Sequence, residues 1–232
     1  HVKSGVRIRL EKRIPAQAGL GSGSSDAAVT LIALAHLWEL EITGNELLEI
    51  AGKLGADVPF FLFGGTARGT GRGNTIAPLR DAPPTYLLLL KPTVSIATSK
   101  AYEALNSAAL TTRNAKFILS SSQAGGFSTG FDLKALHNDF EAVAFRLAPE
   151  IDRAKLALLK TEARVAFLAG SGSAVVGVFE NKDAQERAIQ AIELETGWRV
   201  FPCKTVGRSH YRSAMGPAGK ILARSSGENA GA

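Results

Sequence analysis

Between Pro15 and Asp26 the chain reads PAQAGLGSGSSD, and no other stretch limits its possible folds as tightly. Before it, Val6, Ile8 and Leu10 alternate with Arg7, Arg9 and Glu11, a period of two that predicts a half-buried strand over 6–14. After it, Ala27, Ala28, Leu31, Leu34, Ala35 and Trp38 recur at helical spacing. The sequence therefore predicts strand, glycine loop, helix. Gly19, Gly21 and Gly23 let the backbone come close to a ligand, and Ser24 and Ser25 add hydroxyls. The free N–H groups and positive dipole end of the following helix would face whatever the loop encloses, which suits an anion. No Gly-Lys-Ser/Thr closes the loop, so the Walker form is excluded, and the glycine spacing fails the dinucleotide fingerprint. A purely structural glycine turn stays open on these residues alone.

Downstream, Thr43 and Glu46 form a capping box ahead of Leu47, Leu48, Ile50, Ala51 and Leu54, predicting a helix that ends at Gly55. VPFFLFGGTARGTGRG reads as a short apolar strand turning through Gly64 and Gly65, and TYLLLLK as a buried strand after Pro83 and Pro84. The proline pair marks the expected domain boundary. Helices are expected near 99–106, 133–148, 151–160 and 183–195, with a Ser/Gly-rich loop near 120–130. ARVAFLAG, AVVGVFE and WRVFPCK read as strands. Strand and helix alternate irregularly, which favours an α+β architecture. The stretch from 213 to 232 lacks core periodicity and is expected to be a disordered tail.

The bulk numbers exclude more than they assign. With 45% hydrophobic and 21% charged residues in 232, the composition is that of a globular protein. The net charge of +6 is scattered along the chain, so it fits a nucleotide or diphosphate as well as a nucleic acid. A single cysteine, Cys203, rules out an intrachain disulfide framework and any all-cysteine metal site, and a cytoplasmic location is expected. No apolar run is long enough to cross a bilayer, and HVKSGVRIRLEKRIP has no apolar signal-peptide core.

Three segments together resemble the GHMP kinase superfamily, in its erythritol-kinase branch. PAQAGLGSGSSDAA is similar to the family's central loop, with Gln17 and Ser22 standing where glycines are usual. GADVPFFLFGGTARGTGRG is the most specific match, and AGSGSAVVGVF resembles the third family motif with Ala169 in place of its first serine. TVSIATSKAYEAL and HNDFEAVAFRLAPEI also resemble family segments, so the likeness runs from Arg9 to about Arg212 in the family's order.

The resemblance implies a two-domain α+β fold, with a ribosomal-protein-like N-terminal ATP-binding domain (1–83) and a ferredoxin-like C-terminal domain (84–212). It implies transfer of the γ-phosphoryl of ATP, with Mg2+, to the 2-hydroxyl of 4-diphosphocytidyl-2-C-methyl-D-erythritol. Pro15, Ala16, Gln17, Ala18, Gly19, Leu20, Gly21, Ser22, Gly23, Ser24 and Ser25 would cradle the triphosphate. Asp57 would be the catalytic carboxylate that takes or orients the hydroxyl proton; the bland reading is that it braces the turn before Pro59. Thr98 would contact substrate and Tyr102 stack on the cytosine, against a bland reading as helix packing. Gly170 and Gly172 would support the phosphate loop, and Asn138 and Asp139 would be mainly structural. The family's opening lysine strand and Gly-Tyr-His segment have no counterpart, so the chain is expected to be partial. No nucleic-acid or membrane partner is expected, and the assembly is expected to be a monomer or homodimer. Rival readings are another GHMP kinase (for homoserine, a mevalonate derivative or a sugar), a non-catalytic relative, and a nucleic-acid-binding module.

Overall fold

The computed structural model describes residues 5–71, 73–105, 138–219 and 221. It divides into two compact units: the first holds His1–Ile14, Gly21–Pro83 and Val206–Ala232, the second Pro15–Leu20 and Pro84–Thr205.

The second unit is built on one antiparallel sheet. Its strands are β3 (Tyr86–Lys91), β4 (Val165–Leu168), β5 (Val175–Phe179) and β6 (Arg199–Lys204), in the order β4-β5-β3-β6. Both faces are covered, which is why LLLL in β3 is apolar without alternation. Leu88 and Leu90, each fully buried, point to a core with Val175, Phe179, Ile151, Leu158 and Trp198. Leu87 and Leu89 point the other way, toward Ala18, Ala169, Ala174 and Val176. Helices α4 (Thr98–Ala104), α5 (Glu141–Leu147) and α6 (Pro149–Leu159) lie between β3 and β4 in sequence, and α7 (Lys182–Ala191) between β5 and β6. This β-α-β-β-α-β order with its strand permutation is the ferredoxin-like arrangement. Asn181 caps α7 by accepting from the Ala184 amide at 2.9 Å.

The first unit packs α1 (Ser22–Leu37), α2 (Gly44–Leu54) and the single turn α3 (Phe60–Phe63) around Ala28, Ile32, Leu47, Ala51, Val58 and Leu62. The capping box is realised: the Thr43 amide donates to Glu46 Oε2 at 2.8 Å, and the Glu46 amide donates to Thr43 Oγ1 at 3.3 Å. Gly55 ends α2 as expected. A hairpin of β1 (Ala67–Thr70) and β2 (Thr75–Pro78) follows. After β6 the chain rejoins this unit as α8 (Arg208–Ala214) and a 3-10 turn at Gly216–Gly219.

Four local expectations differ from the structure. Residues 5–14 form no strand, and Val6, Ile8, Leu10 and Ile14 are exposed. Alternation alone cannot make a strand, because its ladder needs a neighbour and no described strand pairs with this one. VPFFLF is a helical turn rather than a strand: Pro59 takes helical angles ahead of it, and Val58 and Leu62 are buried four residues apart. The first part of the stretch after 213 carries a 3-10 turn at Gly216–Gly219, and Met215, Ala218 and Ile221 pack against the α1–α2 core. Residues 206–212, expected with the C-terminal domain, group with the first unit. The Ser/Gly-rich loop near 120–130 lies outside the described residues, as does the start of the helix expected over 133–148, whose described part is helical only from Glu141.

Candidate functional site

The glycine loop divides between the two units. Its first part, Pro15–Leu20, belongs to the second unit and lies on the turn that follows β4. Gln17 and Gly19 both have left-handed backbone angles, with φ of 51° and 72°. A Cβ on Gly19 would lie 1.8 Å from the Ala169 carbonyl oxygen and 2.9 Å from the Gly172 nitrogen, so only glycine allows this approach. Reciprocally, a Cβ on Gly170 would lie 2.8 Å from the Gly19 carbonyl oxygen. The Ala174 amide donates to the Ala18 carbonyl at 3.1 Å, and Ala18 is buried. The third motif and the loop are thus packed backbone on backbone, which explains why both are rich in glycine.

That turn is fixed from behind. The Asn138 side-chain amide donates to the carbonyls of Leu168 and Gly170, each at 2.8 Å, and its oxygen accepts from the Phe140 amide at 2.9 Å. Ser173, fully buried, donates to the Val94 carbonyl at 2.5 Å. Ser171 and Thr98 share a hydroxyl hydrogen bond of 3.2 Å, so the expected substrate residue Thr98 is tied to the glycine turn. Lys91 shapes the loop before Thr98: its ammonium is buried and donates to the carbonyls of Pro92 at 2.7 Å and Val94 at 2.8 Å. Burial pushes the Lys91 pKa below its ordinary value, and the nearby Arg199 charge adds to the effect. Tyr102 packs one ring edge on Phe140, with centroids 4.9 Å apart, yet stays 53% exposed. It is at once a packing residue and a free aromatic face.

The second part of the loop belongs to the first unit, where Gly21 forms the N-cap of α1 with φ of 63°. No side chain caps this helix, and its first turn carries no acidic residue. The amides of Ser22, Gly23 and Ser24 therefore have no capping side chain, as an anion site requires. Asp26, one turn on, is paired with Lys12, so its charge does not oppose an incoming anion. A Cβ on Gly21 would lie 2.8 Å from the Phe61 ring, placing α3 directly against the start of α1. Asp57 stands in the turn between α2 and α3, exposed, with no hydrogen-bond partner among the described residues. Within that turn the Val58 amide donates to the Gly55 carbonyl at 3.2 Å.

Sequence reasoning missed Ser171, Phe61 and Lys91. A hydroxyl between glycines, a phenylalanine in an apolar run and a lysine at a strand end carry no signal of their own. Only the fold places them beside residues that do.

A glycine-rich loop that opens a helix whose first amides no side chain caps is suited to a phosphate group. The chain belongs to the GHMP kinase family: residues 1–65 match the family profile of the GHMP kinases N terminal domain, and residues 122–196 that of the GHMP kinases C terminal domain. Its relatives within the family include several kinases of one name. It is 40% identical over 211 residues to the 4-diphosphocytidyl-2-C-methyl-D-erythritol kinase of Solibacter usitatus, covering 90% of this chain and 66% of that protein. It is 38% identical to the kinase of the same name from Syntrophus aciditrophicus, covering 88% of this chain and 71% of that protein. The chain thus spans about two thirds of the length of the relatives it matches. A crystal structure of 4-(cytidine 5'-diphospho)-2C-methyl-D-erythritol kinase superposes with a TM-score of 0.64 at 34% identity, covering 85% of this chain and 69% of the other. The homoserine kinase of Cytophaga hutchinsonii, at 18% identity, TM-score 0.62 and coverage of 86% and 69%, shares the fold.

Proposed function

We propose that this protein transfers the γ-phosphoryl of ATP to the 2-hydroxyl of 4-diphosphocytidyl-2-C-methyl-D-erythritol. The observation that carries the reading is the start of α1: a left-handed glycine followed by amides that no side chain caps, at the end of a loop with its other half braced by backbone. Such a loop offers fixed donors where phosphate charge sits, and fixed donors cost no reorganisation during transfer. In this reading Pro15–Ser25 hold the triphosphate. Asp57, exposed and with no hydrogen-bond partner among the described residues, accepts or orients the proton of the attacking hydroxyl. Thr98 contacts the substrate, and the exposed face of Tyr102 stacks on the cytosine, worth about 1–3 kcal/mol.

Mg2+ on the triphosphate would neutralise charge as the γ-phosphoryl moves. In this reading Ser25 would be a protein contact of that ion. No described helix is long and apolar enough to cross a membrane. The reading places the enzyme in the cytoplasm as a monomer or homodimer, with a small-molecule substrate and no nucleic-acid partner; the lone thiol of Cys203 accords with a reducing compartment.

The test is phosphorus NMR of the protein with Mg-ATP and 4-diphosphocytidyl-2-C-methyl-D-erythritol, beside its Asp57→Asn variant. The 2-phosphate should accumulate with the parent protein, and the variant should lose activity by about 1,000-fold, the size expected for a positioned acid–base group, while still binding ATP. An Asp57→Asn protein as active as the parent removes the carboxylate from the mechanism. Phosphorylation of homoserine or mevalonate in preference to the cytidyl compound replaces the substrate assignment.

A further inference from the structure

The Gly64–Gly65 pair belongs to the motif that follows Asp57, yet the reaction as proposed gives it no task. The structure shows what it accommodates. A Cβ on Gly64 would lie 2.2 Å from the Tyr211 ring, and one on Gly65 would lie 2.1 Å from Asp81 Oδ1 and 2.9 Å from the Arg208 backbone. Both glycines are docking ground for α8, the helix after the last strand.

The docking is polar and specific. The Arg208 amide donates to Asp81 Oδ2 at 2.6 Å, and its guanidinium donates to the carbonyls of Thr66 at 2.7 Å and Leu79 at 3.0 Å. Asp81 Oδ1 accepts from the Thr66 amide at 2.9 Å. One turn further on, the Tyr211 hydroxyl donates to the Phe61 carbonyl at 2.5 Å. That carbonyl lies in a four-residue helix, whose last carbonyls have no amide of their own to accept from. The Tyr211 phenol is held neutral by burial, with its pKa pushed up to about 12, so it stays a donor.

α3 connects this bond to the candidate site in two directions. Its first residue is three past Asp57, and the Phe61 amide donates back to the Val58 carbonyl at 3.1 Å. The Phe61 ring meets the open side of Gly21, where the uncapped amides of α1 begin. Moving α3 therefore moves both the seat of the phosphate loop and the turn that carries Asp57.

We propose that Tyr211 is a positioning residue for nucleotide binding: it holds α3 through the Phe61 carbonyl, so that the Phe61 ring fixes Gly21 and the start of α1. The inference rests on the kinase reading above and adds to it a helix from the far end of the sequence.

The variant to make is Tyr211→Phe, which keeps the ring against Gly64 and removes only the donor. The dissociation constant of Mg-bound β,γ-imido-ATP, measured by calorimetry, should rise about fivefold, the size of one lost hydrogen bond. In 15N-correlated spectra of the free protein, the amides of Gly21 and Ser22 should shift along with those of α3. Ala188→Gly, a helix-interior change in the other unit, serves as a control that costs stability without touching α3; its dissociation constant should match the parent's. Parent-like nucleotide affinity in Tyr211→Phe, or shifts that stop at α3, overturns the positioning role and leaves the kinase reading intact. A parent protein that binds no nucleotide overturns the kinase reading and this inference with it.

Discussion

Gly19 and Gly21 sit two residues apart in one loop, with nearly equal left-handed φ angles of 72° and 63°, and they answer to different neighbours. Gly19 meets main chain: the Ala169 carbonyl and the Gly172 amide, themselves in a turn held by Asn138 and Ser173. Gly21 meets a side chain, the Phe61 ring. A backbone turn with its hydrogen bonds made has nowhere to go, whereas a ring can tilt at the cost of some packing. The same residue type thus marks a rigid contact in one unit and a yielding one in the other.

Substitution should separate them. Gly19→Ala must displace a carbonyl that its Cβ would approach at 1.8 Å. We expect a loss on the order of 3 kcal/mol, at the upper end of ordinary single substitutions, read as a lowered urea midpoint. Gly21→Ala should cost less, about 1–2 kcal/mol, most of it the left-handed penalty of a residue with a Cβ. Pairing Gly21→Ala with Phe61→Leu sharpens the contrast: the smaller side chain should restore part of the loss at Gly21. Equal losses for the two glycine variants would break the distinction, because the backbone penalty alone would then account for both.

Much of this was legible in the sequence, and the rest was not for identifiable reasons. The loop, the helix it opens, the Thr43–Glu46 cap and the strands of the second unit follow from local pattern, since each depends on residues within a turn or a strand of one another. The resemblance of three separated motifs supplied the fold class. What pattern could not give were contacts set by chain return: Tyr211 on Phe61 spans 150 residues and Arg208 on Thr66 spans 142. The strand expected over 6–14 failed for the same reason, since its pattern was right but a ladder depends on a neighbour that local sequence does not name. For VPFFLF the pattern does not decide, because in so short an apolar run the helical and strand periods cannot be told apart.

Gly23 completes the comparison, since it has neither neighbour. It lies inside α1 with an ordinary helical φ, and a Cβ there would find nothing within 4 Å. On the protein's own account glycine is the poorer choice, because a helical glycine costs about 1 kcal/mol against alanine. Gly23→Ala should therefore stabilise the free protein by about 0.5–1 kcal/mol. If the open space beside Gly23 is where phosphate lies, the same methyl group should raise the dissociation constant of Mg-bound β,γ-imido-ATP. Thermal unfolding with and without nucleotide measures both at once: the midpoint should rise in the free protein, and the further rise given by nucleotide should shrink. A variant stabilised equally in both states would show that the helix start tolerates a side chain at Gly23, and would move the phosphate contacts back toward Gly21 and Ser22.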